Sequence, residues 1–230
     1  MIALTARRPD TAARAALRQF RTAGPTSRLH TLARWWSAPF PAIEQALPRS
    51  GRLLEIGCGH GLFSTYAALA APERRVHGVD IDPDKIAAAK AASGSLGDRV
   101  SFAVAPSGAV PEGPWDGVVI IDVLYLLPEE EQRRLLLEAL ATVAPGGVLV
   151  VKEMSPKPAW KARWNEVQET LAVKLLHITE GGSFDFVPPA RMSAWVRAAG
   201  ATVREQRLDA GRIHPHHLLV ATLPGRPAGK

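Results

Sequence analysis

From residue 53 onward, short apolar runs alternate with stretches whose apolar positions recur every three or four residues, the rhythms of strand and amphipathic helix. Runs at 53–56, 76–80, 100–104, 115–122 and 148–152 predict five strands. Helices are predicted over 62–71 and 83–92, and again after Pro128-Glu129-Glu130-Glu131, whose acids suit a first helical turn. Ala144-Pro145-Gly146-Gly147 reads as the turn that feeds the fifth strand. Such alternation implies a parallel sheet with right-handed crossovers. Residues 157–180 then predict one long helix with Trp160, Trp164, Val167, Leu171 and Leu175 in a stripe, stopped by Gly181-Gly182. An aromatic loop over 184–189, a helix over 190–199 and strands over 201–208 and 218–223 close the chain.

Ahead of the first strand the rhythm is helical. Asp10 or Thr11 caps a helix reaching to about residue 23, and Gly24-Pro25 breaks it. A second helical stretch carries Leu29, Leu32, Trp35, Trp36 and Phe40 on or near one face. The chain therefore divides into a basic helical extension or lid over 1–49, a main domain over 50–223, and a disordered tail over 224–230.

Charge sharpens that division. The chain of 230 residues has 28 basic and 22 acidic side chains; residues 1–50 hold eight of the former, all arginine, and two of the latter, leaving twenty of each beyond. The whole excess of +6 thus sits in the N-terminal segment. Such asymmetry suits an anionic membrane surface, nucleic acid or an acidic carrier, and a solvated helix face explains the same arginines. No apolar run approaches the ~20 residues that span a bilayer. No secretory signal is visible, and the lone cysteine, Cys58, permits no internal disulfide. A cytoplasmic protein, with peripheral membrane contact as an option, is the expectation.

The chemistry concentrates at Glu55-Ile56-Gly57-Cys58-Gly59-His60-Gly61. Three glycines at every second position between a strand and a helix build a turn where a ligand meets backbone. A dinucleotide site would show G-x-G-x-x-G, its third glycine packing helix on strand and its phosphates on the helix terminus. Here the spacing is G-x-G-x-G, and Glu55 would repel a pyrophosphate while suiting an ammonium. Asp80 ends the second strand, where a carboxylate accepts both hydroxyls of a ribose.

Together these residues resemble the class I S-adenosylmethionine-dependent methyltransferases, over roughly residues 50–223. Glu55 to Gly61 resembles the family's first motif, Val79-Asp80 its ribose-binding acid, Asp116 to Asp122 its fourth-strand motif, and Ala144-Pro145-Gly146-Gly147 its LKPGG segment. The resemblance implies a Rossmann-like α/β fold: a seven-stranded, mostly parallel sheet with an antiparallel last strand between the fifth and sixth, and helices on both faces. It implies S-adenosylmethionine as cofactor, with Gly57, Cys58, Gly59 and Gly61 along its methionine part and Glu55 supporting that loop and the ammonium. Asp80 would take the ribose, Ile81 would lie against the adenine, and Asp122 would hold the ammonium or border the substrate. The acid common after the family's third strand is missing; Ala105-Pro106-Ser107-Gly108 stands there, so Ser107 or backbone would meet the adenine amine.

For the acceptor the residues say less. No second cysteine offers a nucleophile for cytosine-carbon methylation. Asp122-Val123-Leu124-Tyr125 lacks the two prolines of the amine-methylating N/D-P-P-Y/F motif. No metal-binding set of acids can be assembled. These absences favour a small-molecule, lipid-like or acyl acceptor without metal, methylated on oxygen, nitrogen or carbon. In open α/β sheets ligands bind beyond the strands' carboxyl ends, which selects Tyr125, Lys152 and Glu153, with Trp160, Trp164, Phe184 and Phe186 as an aromatic wall. His214, His216 and Tyr125 are the candidate catalytic groups, the histidines as bases from the turn before the last strand; a solvent-exposed turn explains them equally. A non-catalytic S-adenosylmethionine-binding module, and a nucleic-acid methyltransferase using the basic arm, stand as alternatives.

Overall fold

The computed structural model describes residues 9–22, 25–154, 185–208 and 216–225. The predicted helix over 157–180, with Trp160 and Trp164, lies outside them, as do Phe184, His214 and most of the tail. The sheet has seven strands: β1 (Gly51–Ile56), β2 (Arg74–Asp80), β3 (Val100–Val104), β4 (Trp115–Ile121), β5 (Val143–Met154), β6 (Thr202–Arg207) and β7 (His216–Thr222). Their spatial order is β3-β2-β1-β4-β5-β7-β6. β1 to β5 pair in parallel, and β7 runs antiparallel to both β5 and β6.

The inner strands are apolar because both faces are covered, whereas the edge strand β6 is polar and mostly exposed. Alternate residues feed two cores. Leu53, Val119, Val150 and Val220 belong to one, and Leu54, Val118, Val151 and Leu219 to the other. Helices α4 (Leu62–Ala70) and α5 (Pro83–Ser93) cover the first face; α6 (Glu129–Ala141) and α7 (Pro189–Ala198) cover the second.

The N-terminal segment joins the first core. Its helices are α1 (Thr11–Gln19), α2 (Pro25–Ser37) and α3 (Phe40–Gln45). Ala13, Ala16, Phe20, Trp35, Phe40 and Ile43 are buried in the same cluster as Leu53 and Phe63. Trp35 meets Phe40 and Tyr66 edge-on, with ring centroids 5.7 and 5.2 Å apart. Asp10 caps α1 through Ala13 N at 2.7 Å and accepts from the Tyr66 hydroxyl at 3.3 Å. Below α3, the buried Arg74 guanidinium donates to the Glu44 carboxylate at 2.7 Å and to carbonyls of Pro48, Ala67, Glu44 and Leu47.

Two expectations shift. The fifth strand begins at Val143 rather than 148: Trp115 pairs with Val143 and Gly117 with Val148, so Pro145-Gly146-Gly147 is an irregularity within the strand. The last strand begins at His216, since it must extend to pair with Met154; His216 and His217 are strand residues, not turn residues.

Candidate active site

The glycine loop is fixed to β2 at several points. Gly57 N and Cys58 N both donate to the Val79 carbonyl, at 2.8 and 2.9 Å, and Gly59 N donates to Asp80 Oδ2 at 2.8 Å. Asp80 Oδ1 accepts from Asp82 N at 3.0 Å. An ionised carboxylate has about four acceptor positions, so Asp80 keeps capacity for two hydroxyls while bracing the loop.

The last two glycines differ in kind, although both have left-handed backbone. A Cβ on Gly61 (φ 75°) would come within 2.5 Å of the Phe102 ring and 2.9 Å of Ala89. A Cβ on Gly59 (φ 54°) would meet nothing within 4 Å. Gly61 serves the packing of α4 on the sheet, whereas Gly59 opens onto space that a ligand's backbone-sized groups fit. These residues fit S-adenosylmethionine: an open glycine cradle and, beside it, a carboxylate with acceptor capacity for two hydroxyls.

Glu55 is buried beneath this loop and accepts from Ser64 Oγ at 2.5 Å, joining β1 to α4. Burial pushes its carboxyl up to about 8 against the pull of Ser64 and Arg34. Cys58 is buried too, and burial raises its thiol far above the ordinary value, which disfavours the nucleophilic thiolate. Ile81 is half-buried after β2, and Ser107 is exposed in the turn after β3. That turn hangs on β2 through Ala105 N to the Asp80 carbonyl, 3.0 Å.

A second cluster forms where β4 and β5 end. Asp122 takes φ 56°, left-handed backbone that aspartate tolerates better than most residues. Its buried carboxylate accepts from Lys152 Nζ at 2.5 Å and from Arg34 of α2 at 2.9 Å. Burial pushes Asp122 up, but the two cations outweigh it and hold the carboxyl below its usual range. Next to this ion pair lies Glu153. Its Oε1 accepts from Val123 N and Leu124 N at 3.2 and 3.0 Å, while its buried Oε2 has no hydrogen-bond partner among the described residues. Burial and the Asp122 charge push Glu153 up to about 8.

Tyr125, in the short 3₁₀ turn Leu124–Leu126, is buried and stacks on Phe186 with centroids 5.4 Å apart. Its carbonyl accepts from Asp185 N at 3.2 Å, so the chain returns to this end of the sheet at 185–186. Burial, then Asp122 and Glu153, raise the Tyr125 phenol, the wrong direction for a base. His216 is buried opposite Met154, at the same end of the sheet, and His217 Nε2 lies 3.2 Å from Glu205.

Tyr125, Lys152, Glu153, Asp122 and His216 thus gather at one end of the sheet. Arg34 was missed by the sequence reading. Its signal was present but faint: an arginine beside the inward-facing Trp35, in a helix whose other face is apolar and exposed.

A family model described as "Methyltransferase domain" matches residues 27–206. Ubiquinone biosynthesis O-methyltransferase from Xanthomonas axonopodis pv. citri is 28% identical over 191 residues, covering 75% of this chain and 77% of that one. Demethylmenaquinone methyltransferase from Thermus thermophilus is 28% identical over 187 residues, covering 74% and 83%. Among solved structures, an O-methyltransferase family protein from Burkholderia thailandensis superposes with TM-score 0.64 at 20% identity, over 87% of this chain but only 57% of that one. Magnesium protoporphyrin IX methyltransferase from Synechocystis, with bound S-adenosylhomocysteine, gives TM-score 0.60 at 16% identity over 97% and 100%. At these identities the structures establish the shared fold.

Proposed function

Since the chain belongs to the class I S-adenosylmethionine-dependent methyltransferases, we propose that its acceptor is a small molecule methylated on a ring hydroxyl. The observation that carries this is Glu153: a buried carboxyl held by two backbone amides at Oε1, with Oε2 unpartnered among the described residues beside Asp122 and Lys152. The names of the relatives, which concern ubiquinone and demethylmenaquinone, agree with such a ring.

The bound cofactor supplies an electrophilic sulfonium methyl. On its side, Gly57, Cys58, Gly59 and Gly61 line the amino-acid part, Glu55 supports that loop, Asp80 takes the ribose hydroxyls, and Ile81 and Ser107 border the adenine. On the acceptor side, Tyr125 and Phe186 offer a flat aromatic wall. Glu153 Oε2 takes the hydroxyl proton as oxygen attacks. A carboxyl pushed to about 8 is a far better base near neutrality than an ordinary one. Lys152 and Arg34 lower the energy of the phenolate that forms. Asp122, bonded to both cations, holds them at the acceptor's edge.

Tritiated S-adenosylmethionine tests this against a catechol, a hydroquinone, an aliphatic amine and RNA. Label on a ring oxygen supports the reading, and label on RNA or the amine alone overturns it. Glu153→Gln should lower kcat on the phenolic acceptor by about 10²–10⁴-fold, remove the ascending limb of its pH profile, and leave cofactor affinity unchanged by calorimetry. An unaltered pH profile would remove Glu153 from the role.

A further inference from the structure

Four large hydrophobic residues stand out as exposed among those described, and three of them lie on α2: Leu29 (71% exposed), Leu32 (38%) and Trp36 (53%). Their spacing of three and four residues places them on one side of the helix. The adjoining side holds the buried Thr31 and Trp35, and Thr31 lines the cleft beside Leu32. This apolar stripe borders a cleft of about 340 Å³ between α1 and α2, lined by Leu17, Phe20 and Leu32 together with Arg14, Arg18, Arg21 and Arg28.

The arginines of that cleft have little to do inside the molecule. Arg14 bonds the Pro9 carbonyl and the Thr11 hydroxyl, and no ion pair engages Arg18, Arg21 or Arg28 among the described residues. Nor do local acids neutralise them. The only two in residues 1–50 are Asp10, which caps α1, and Glu44, which is buried against Arg74. The surface is therefore cationic and apolar at once, with tryptophan at its margin.

We propose that the α1–α2 face docks on an anionic lipid bilayer, its guanidinium groups on the phosphate headgroups and Leu29, Leu32 and Trp36 in the acyl boundary. A nucleic acid would use the charge but not two exposed leucines. It stacks on aromatic platforms and bonds polar side chains, whereas an interfacial helix needs this pairing of basic and apolar residues. Among the described residues no helix is long and apolar enough to cross a membrane, so the contact is peripheral. One further link gives it purpose. Arg34, on the same helix, reaches Asp122, so the helix that meets lipid also borders the acceptor end of the sheet. A lipid-dissolved acceptor would arrive beside the cluster that receives it.

Flotation of the full chain with vesicles tests the proposal, comparing phosphatidylcholine alone with an equal mixture of phosphatidylcholine and phosphatidylglycerol. Binding should require the anionic lipid and weaken with salt. Each basic residue near such a surface contributes about 1 kcal/mol, so R18Q/R21Q/R28Q should bind roughly a hundredfold more weakly. L29Q/W36Q should also lose most binding, and the tryptophan emission shift on adding vesicles should shrink. Calorimetric cofactor binding by both variants shows that they fold, and neither touches the methyl-transfer cluster. Equal binding to both vesicle types, undiminished binding by the variants, or tight binding of an oligonucleotide without vesicle binding would each overturn the proposal.

Discussion

Gly59 and Gly61 are two residues apart, share left-handed backbone, and serve different masters. Alanine at either position strains the backbone by roughly 1–2 kcal/mol. At Gly61 the new Cβ also meets Phe102 and Ala89 inside the core, so Gly61→Ala should lose clearly more stability than strain alone, read from its urea midpoint. At Gly59 the Cβ meets no protein atom. Gly59→Ala should therefore unfold only slightly earlier, yet bind S-adenosylmethionine at least about tenfold more weakly by calorimetry. Equal stability losses with equal affinity losses would mean that the loop is one packing unit without a cradle. The residue types of this loop were legible from sequence, because a G-x-G-x-G spacing after an apolar run has few physical uses. The division of labour between its glycines was not, since it depends on Phe102, which lies some forty residues away and reaches the loop only through the pairing of β2 with β3.

At the scale of elements, the joint between α3 and β2 has the sharpest chemistry. Arg74 directs its guanidinium at one carboxylate and four carbonyls, an inventory that matches its five N–H donors. Replacing it by methionine would keep much of the volume and leave the buried Glu44 only the exposed Arg49, 2.8 Å from the same oxygen. Leaving a buried charge unpaired typically costs about 3–5 kcal/mol; with Arg49 still on Glu44, Arg74→Met should fall at or below the lower end of that range by chemical denaturation. A double variant that also carries Glu44→Gln should recover part of the loss; no recovery would place the effect in the carbonyl contacts alone. Sequence periodicity located the described strands and α-helices of the sheet domain, because burial of the inner strands writes itself into apolar runs, but it did not place the 3₁₀ turns at Gly94–Arg99 and Leu124–Leu126. It placed the start of β5 five residues late and that of β7 two. Glycine and proline at 145–147 read locally as a turn, and two adjacent histidines read as solvent-exposed. In both places long-range pairing overrode local preference: Val143 with Trp115, and His216 with Met154.

For the whole molecule, two buried carboxyls make stability fall with rising pH, against His60 and His77, which burial lowers and which act in the opposite sense. Glu55 and Glu153 are both pushed from 4.5 to about 8. Between those values the folded chain keeps protons that the unfolded chain releases, so their contribution falls as pH rises through the window and levels off above it. Thermal midpoints measured from pH 5 to 9 should decline across that range more steeply for the natural chain than for Glu55→Gln/Glu153→Gln. Parallel slopes would show that both groups ionise normally. At this scale the charge count was read from sequence without structure, and it has one more consequence. A neutral body whose entire surplus lies in its first fifty residues is an electric dipole. In a field gradient such an object feels a torque before it feels a contact, so random tumbling is biased while the two surfaces are still about a Debye length apart, some 10 Å at moderate salt. Encounter with any anionic plane would then be productive more often than chance allows. Six charges placed evenly over the surface would give the same net attraction and none of the orientation.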